Sequence, residues 1–477
     1  MKRHMKRWAC GILAAYWLAS CSLLMAETYY VATNGVDTRT GTLDWTNAVL
    51  TISNAVAKAT TAGDLVWVSN GVYVVSTQVN LTAGITVRGW SANRADVVVD
   101  GANATRCFNI NNSAALLAGL TVMRGTNSSI GGGILVGSSG GTISNCVIAD
   151  CVGLAGGGVY MGANARLTHS AILGNRATDS GSGLAGGGLK GKGANIIITN
   201  CVIASNSAPE ASSGGGGICL ESCENCLITD STINSNYTVY RGGGINMYQG
   251  RSTISRCVIS NNLAVSDGSG IYIWTGSTGM AENCHIVNNG ATAATGSGGG
   301  AYMTGAYMLR NCLIQNNSIR NISSRYGGGV HIAGAGSTVD TCTVVGNLNT
   351  YAGNGGGIYT TTSAVTIINS VVWSNAGGDV AIAAAGGPLA LSYCCVSNAN
   401  TFGGTGNITN DPAFVSAGPG NNWRLSNGSP GVNMGVNETW MDDALDLDGK
   451  RRIDRFGQRV DMGAYELLLE GTLFSIR

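Results

Sequence analysis

The chain has 477 residues, 73 of them Gly and only 5 Pro, with 27 Lys+Arg against 26 Asp+Glu for a formal net charge of +1. Gly at about twice its usual share, with scarce Pro and no three-residue period, excludes collagen, and a hydrophobic fraction of 44% excludes simple disorder. The near-neutral balance gives no electrostatic case for nucleic acid or an anionic membrane surface, and so much Gly with so little charge points to a repeat architecture.

Residues 1–26 read as a signal peptide. Lys2, Arg3, Lys6 and Arg7 form a basic start, and Ala9 to Leu18 form an apolar stretch too short to cross a membrane. Its end fits two readings. Leu18-Ala19-Ser20-Cys21 resembles a bacterial lipobox, which makes Cys21 a lipidated first residue and that lipid the one membrane attachment; Met25-Ala26 before Glu27 suits ordinary signal peptidase. Either way the expected location is extracytoplasmic: secreted, or associated with the cell surface or outer membrane.

Residues 27–125 are expected to hold an N-terminal cap, with a short amphipathic helix over Asn47 to Ala59, followed by the first coils of a solenoid. Residues 126–400 then repeat. Gly triplets, one of them Gly-Ser-Gly, begin at Gly131, Gly156, Gly186, Gly215, Gly242, Gly268, Gly298, Gly327 and Gly355, a period of about 25 to 30 residues. About 13 residues later comes a small residue opening a second apolar segment: Cys146, Cys201, Cys257, Cys284, Cys312 and Cys342, with Ser170, Ser231 and Ser370 in other repeats. Five residues further lies an Asn: Asn175, Asn206, Asn236, Asn262, Asn289, Asn317, Asn347 and Asn375. Asn tolerates the left-handed backbone of a sharp bend, and its amide can pair with the same amide one coil away, which requires repeats stacked in register about 4.8 Å apart. The pattern predicts an all-β fold, a parallel β-helix of roughly a dozen coils with an apolar interior. The Cys column shares small size with Ser rather than sulfur chemistry, so buried free thiols are expected; Cys219, Cys223 and Cys226 have a CxxxCxxC spacing that reads as coincidence inside a repeat.

These tandem Gly-Gly-Gly-Ile units with a following Asn resemble the right-handed parallel β-helix repeats of exported bacterial surface proteins, including polymorphic outer-membrane proteins. The segment from Tyr29 to Val68 resembles the entry of pectate-lyase-like β-helices. Within residues 401–477, Asp411-Pro412-Ala413-Phe414, Asp446-Leu447-Asp448-Gly449 and Val460-Asp461-Met462-Gly463-Ala464-Tyr465-Glu466 resemble the choice-of-anchor Q domain that closes many such proteins, though Asn433 stands where that domain commonly has Asp.

Side chains alternate along a strand, so the residue after the inward Ile or Val of each triplet strand should face out. That column reads Leu135, Tyr160, Lys190, Cys219, Asn246, Tyr272, Tyr302, His331 and Tyr359, and the next outward position adds Lys192, Glu221, Tyr248 and Trp274. An aromatic stripe with polar interleaving offers platforms for the apolar faces of sugar rings, and equally suits rings that merely stack on one another. The expectation is a non-catalytic surface or secreted protein that binds polysaccharide or cell-surface glycan through Tyr160, Tyr248, Tyr272, Trp274, Tyr302, His331 and Tyr359. The competing reading, implied by the family resemblance, is a polysaccharide lyase or glycoside hydrolase, with Lys190, Lys192 and Glu221 as catalytic candidates. Lysines and two acids gathered in one groove would favour the enzyme; a broad aromatic strip without them would favour binding. No cofactor motif stands out; calcium is the one candidate, with Asp446 and Asp448 foremost among the C-terminal acids as ligands.

Overall fold

The computed structural model describes residues 25–179, 184–210, 213–291, 296–320, 325–362, 364–383, 389–416, 422–453 and 457–468. Cys21 and nearly all of the expected signal peptide lie outside them. No helix of the described residues is long and apolar enough to cross a membrane.

The chain is an all-β parallel solenoid, as the repeat predicted. Each full coil lays down strands that add to three ladders. One ladder holds 24 strands, because it gathers two strand columns: the short strands after the Gly triplets and the strands leading to the Cys positions. The two columns fuse into single long strands at Ile218–Thr229 and Ile245–Ser255. A 13-stranded ladder follows the Cys or Ser position, and a 9-stranded ladder of short strands follows the Asn position. Nearly every pairing is parallel and in register, so a given repeat position stacks on itself from coil to coil; Ile148, Ile172, Ile203, Ile233, Ile259 and Ile286 form one such run. These side chains are buried in a core that extends from Tyr29 to Ala399, each worth about 1.5–3 kcal/mol of removal from water.

The Asn column forms a continuous hydrogen-bonded ladder. In every coil the Nδ2 and backbone N–H of one Asn both donate to Oδ1 of the next, from Asn175 to Asn206 (2.9 and 3.0 Å) through to Asn347 and Asn375 (2.9 and 3.0 Å). The second Nδ2 hydrogen goes to a core-strand carbonyl, as from Asn262 to Ile233 at 2.9 Å. The ladder starts at the Cys151 N–H, which donates to Asn175 Oδ1, and ends on Asp379, whose Oδ1 accepts both donors of Asn375. Fully paired buried amides are stabilising where half-paired ones would be costly.

The backbone corrects one detail of the sequence reading. The left-handed residue is the one before the ladder Asn, such as Ser205, Ser235, Asn261, Asn288 and Asn316 with φ of +53° to +58°. A second left-handed column precedes the Cys positions, including Asn145, Asn200, Asn283 and Asn311. The bend thus falls one residue earlier, and no ladder Asn has a positive φ. The Gly triplets answer to the ladder: a Cβ on Gly244 would sit 2.7 Å from the Gly270 carbonyl oxygen and 2.9 Å from Asn262 Nδ2. Side chains are excluded there because stacked carbonyls and the Asn amides occupy the space.

The N-terminal cap is a shorter helix than expected, Ile52–Lys58, opened by the Thr51 hydroxyl accepting from the Asn54 N–H and preceded by a 3-10 turn, Trp45–Asn47. Ile52, Ala55 and Val56 face the core. At the other end, the segment beyond residue 401 folds back along the outside of the 13-stranded ladder. Trp423 and Tyr465 pack on Leu313 and Val345. The Ala464 N–H donates to Thr343 Oγ1 (2.9 Å), and Asn369 exchanges two hydrogen bonds with Val436. Arg452 and Glu466 form a fully buried ion pair at 2.9 Å.

Candidate functional site

The outward column stacks in the register the sequence implied: Tyr160, Lys190, Cys219, Asn246, Tyr272, Tyr302, His331 and Tyr359 follow one another across adjacent strands. Lys192, Glu221 and Tyr248 stack beside it. All point away from the apolar interior, but six of the eight are buried, and only Tyr160 and Tyr302 are partly exposed. Tyr272 is 2% exposed, His331 3% and Tyr359 6%, so the continuous open aromatic stripe expected over these coils is not what the fold presents.

The cover comes from the residue just before the Gly triplet. Arg241 lays its guanidinium 4.9 Å over Tyr272 and 4.8 Å over Trp274 and pairs with Asp267 at 3.1 Å. Tyr326 stacks on Tyr359 with ring centroids 4.2 Å apart and meets the edge of His331 at 5.5 Å. Beneath it His331 lies flat on Tyr302, 4.3 Å away and 5° from parallel. Neither ring nitrogen of His331 has a hydrogen-bond partner, and burial pushes its pKa down to about 3. The ring is neutral and part of an outer core.

Upstream, the position before the triplet carries Ala155, Ala185 and Gly214, and there Tyr160 and the neighbouring Lys192, Glu221 and Tyr248 reach the surface. A groove of about 610 Å³ is lined by Tyr160, Lys190, Lys192, Glu221, Tyr248 and Trp274, together with Asp179 and the apolar Ile130, Leu154, Ala155 and Leu184. Two aromatic candidates meet edge to face inside it, Tyr248 and Trp274 at 5.2 Å, and Trp274 Nε1 donates to Asn246 Oδ1 at 2.8 Å, which fixes the indole. Glu221 bridges both lysines, Oε2 to Lys190 Nζ at 2.6 Å and Oε1 to Lys192 Nζ at 2.7 Å. Lys190 is buried and also donates to the Leu184 carbonyl, whereas the Lys192 side chain is 52% exposed. Burial alone would raise the Glu221 carboxyl, but hydrogen bonds from the two lysines outweigh it and hold the pKa below the ordinary range. The same contact raises the Lys192 ammonium.

Sequence reasoning missed Asp179, which lies in an irregular connection with no repeat position to mark it, and missed Arg241, Asp267 and Tyr326. A signal for the last three existed: a large or charged residue immediately before a triplet, in a column otherwise read only after it.

Calcium does not fit the C-terminal acids. Asp446 accepts from the backbone N–H groups of Asp448 and Lys450 (both 2.8 Å) and Glu466 (2.7 Å), and Asp448 is held by Arg424. Their oxygens are committed to fixing the closing segment, and no cluster of three or more metal-ligating side chains occurs among the described residues. The thirteen described cysteines are buried free thiols, including Cys219, Cys223 and Cys226.

Among solved structures the chain is similar to XylC in complex with xylose (11% identity over 93% of this chain and 99% of that one, TM-score 0.51). It is also similar to pectate lyase Pel9A (15% identity, 92% and 96%, TM-score 0.42) and to a mannuronic acid specific polysaccharide family 6 lyase from human gut microbiota (13% identity, 70% and 82%, TM-score 0.40). At these identities the likeness is one of fold. No curated protein sequence matches the chain. The profile of the family described as right handed beta helix region matches residues 132–314 and, overlapping, 187–372. That span takes in more than half of the chain, and with the coil geometry it places this protein in the right-handed β-helix family.

Proposed function

We propose that this protein is an extracytoplasmic polysaccharide-binding protein whose site is the open groove at Tyr160, Lys192, Tyr248 and Trp274. The carrying observation is the groove itself. Its volume suits a few sugar rings, its aromatic walls suit their apolar faces, and a half-exposed lysine stands beside them. XylC carries a sugar, xylose, on the same fold. Tyr272, Tyr302, His331 and Tyr359 act in this reading as the stacked support on which Trp274 rests, rather than as contacts to glycan. The same reading keeps residues 1–26 as an export signal, residues 27–125 and 126–400 as the cap and the repeats, and residues 401–477 as a closing domain.

Binding is preferred over catalysis because of the state of the charges. Glu221 is ionised with both oxygens occupied, and an ammonium paired to a carboxylate at 2.6 or 2.7 Å is a poor general base. A second reading rests on a specific observation: Lys190 and Lys192 share one groove with two acids, Asp179 and Glu221, the grouping that favours an enzyme. One experiment separates the two. The protein is incubated with polyuronates and with neutral polysaccharides, while unsaturated products, new reducing ends and bound glycan are all followed. Retention without products, weakened by Trp274→Ala, supports binding. Products that vanish in Lys190→Met and Glu221→Gln establish the lyase or hydrolase instead.

A further inference from the structure

A second cavity, also of about 610 Å³, lies far from the groove in its lining: none of its residues is shared. It is a crevice between the 13-stranded flank of the solenoid and the closing segment. One wall is built by Glu282, Asn283, His285 and Arg310, the other by Trp440 and Leu445. Stacking sets the first wall, since Glu282 and Arg310 occupy one register column. The second wall is set by the 3-10 turn Thr439–Met441, whose Trp440 indole donates to Glu438 at 2.9 Å.

The hydrogen-bonding state of this wall is unlike that of the rest of the flank. Neighbouring Arg256 donates from all three nitrogens, to Asp230, Thr229 and Ser255. Arg310 pairs through Nε with Asp340 at 3.1 Å and lies 4.6 Å over the Trp440 ring, which leaves its Nη groups as donors without a protein partner. Glu282 makes no ion pair and accepts one long bond, 3.4 Å, from Ser255. Asn283 Oδ1 accepts from Asn311, and its Nδ2 has no protein acceptor. Within one crevice there are thus unspent donors, an unspent carboxylate acceptor and an indole. An anion would meet Glu282, and a cation would meet Arg256 and Arg310. A neutral ligand whose groups both donate and accept meets neither obstacle, and adjacent sugar hydroxyls have that character. The apolar Trp440 and Leu445 suit the other side of a sugar ring.

We infer that this crevice is a second saccharide site, one that takes a neutral glycan independently of the groove. Both sites on one chain would let a single polymer, or two, be held at once, raising the effective affinity without new contacts.

The test uses the full chain with the groove disabled by Tyr248→Ala and Trp274→Ala. Neutral hexasaccharides of glucose, xylose and mannose serve as probes in ligand-observed NMR and calorimetry. The expected result is residual binding of at least one of them. That binding should fall at least tenfold when Glu282→Gln is added, an isosteric change that spares the fold, and again with Trp440→Ala, with unfolding temperature measured as a control. Absence of residual binding overturns the inference while leaving the groove reading intact. Residual binding indifferent to Glu282→Gln and Trp440→Ala overturns it equally. Loss of groove binding alone, in the protein with an intact crevice, bears only on the groove.

Discussion

The outward column of this solenoid is one structural series with two fates. At Tyr160, and at Lys192, Glu221 and Tyr248 beside it, the face floors an open groove, although Lys190, Cys219 and Asn246 are themselves buried; farther along, Tyr272, His331 and Tyr359 are covered and Tyr302 is half-buried. Residue type in the column does not decide the difference, for Tyr stands in both halves. The side chain before each Gly triplet decides it: Ala155, Ala185 and Gly214 leave room, whereas Arg241 and Tyr326 fold over their neighbours. On a parallel sheet whose strands stack in register, exposure is set by what the adjoining turn lays across it.

The comparison can be broken most sharply by truncation. Tyr272→Ala should cost about 3–5 kcal/mol, as expected for emptying a buried aromatic site, while Tyr248→Ala should cost less than about 1 kcal/mol. Equal losses in chemical denaturation would mean that the two halves are not differently covered. The next largest effect concerns pH. The folded protein withholds a proton from His331 down to about pH 3, whereas the unfolded chain takes it up near 6.5. Between these values the unfolded state binds more protons, so stability falls as pH is lowered through that window. At pH 5 this term amounts to about 2 kcal/mol, at 1.36 kcal/mol per unit. His331→Phe, which keeps the stack on Tyr302, should remove it, so that the stability difference between variant and parent shifts by about that amount from pH 7.5 to pH 5. A parallel pH dependence in both proteins would contradict a sealed ring.

Two smaller effects are read through glycan binding. Trp274→Ala should weaken retention by the groove at least tenfold, or about 1.4 kcal/mol, while Tyr359→Ala leaves the affinity of the folded protein unchanged. Affinity lost equally in both would reinstate the whole stripe as the binding surface. Finally, Arg241→Ala combined with Asp267→Asn removes the cover without stranding a buried charge. It should lengthen the groove toward Tyr272 and raise affinity for longer glycans severalfold, with short ones unaffected; calorimetry over a length series would show whether it does.

Much of the fold was legible because a solenoid writes each structural position many times. The Asn column, the small Cys and Ser positions and the Gly triplets each recur with fixed spacing, and a residue that must stack on itself cannot drift. What did not repeat was not legible. The left-handed position was assigned to the ladder Asn itself because Asn favours that conformation, yet the residue before it turns, often another Asn, as at Asn261 and Asn288. The site residues of the groove were named from periodicity, but their coverage depends on single residues, Arg241 and Tyr326, that occur once each. Asp179 sits in a connection outside the repeat. The Asp446 carboxylate resembled a cation ligand in sequence, and only the chain path showed it occupied by three backbone N–H groups.

The Asn ladder also has a direction. Every ladder Asn gives its backbone N–H and one Nδ2 hydrogen to the amide that follows and accepts from the one before, so the series behaves as a chain of like-oriented dipoles with a donor end at Cys151 and an acceptor end at Asp379. A carboxylate can receive but has nothing to pass on. Asp379, which stands four residues after Asn375 and just before the strand that pairs with Ile358 rather than in the Asn column, therefore acts as punctuation: it takes both donors of the last ladder amide and offers no side-chain N–H to a further one. The length of the ladder is, in that sense, set by the point at which a carboxylate rather than another amide meets the last Asn.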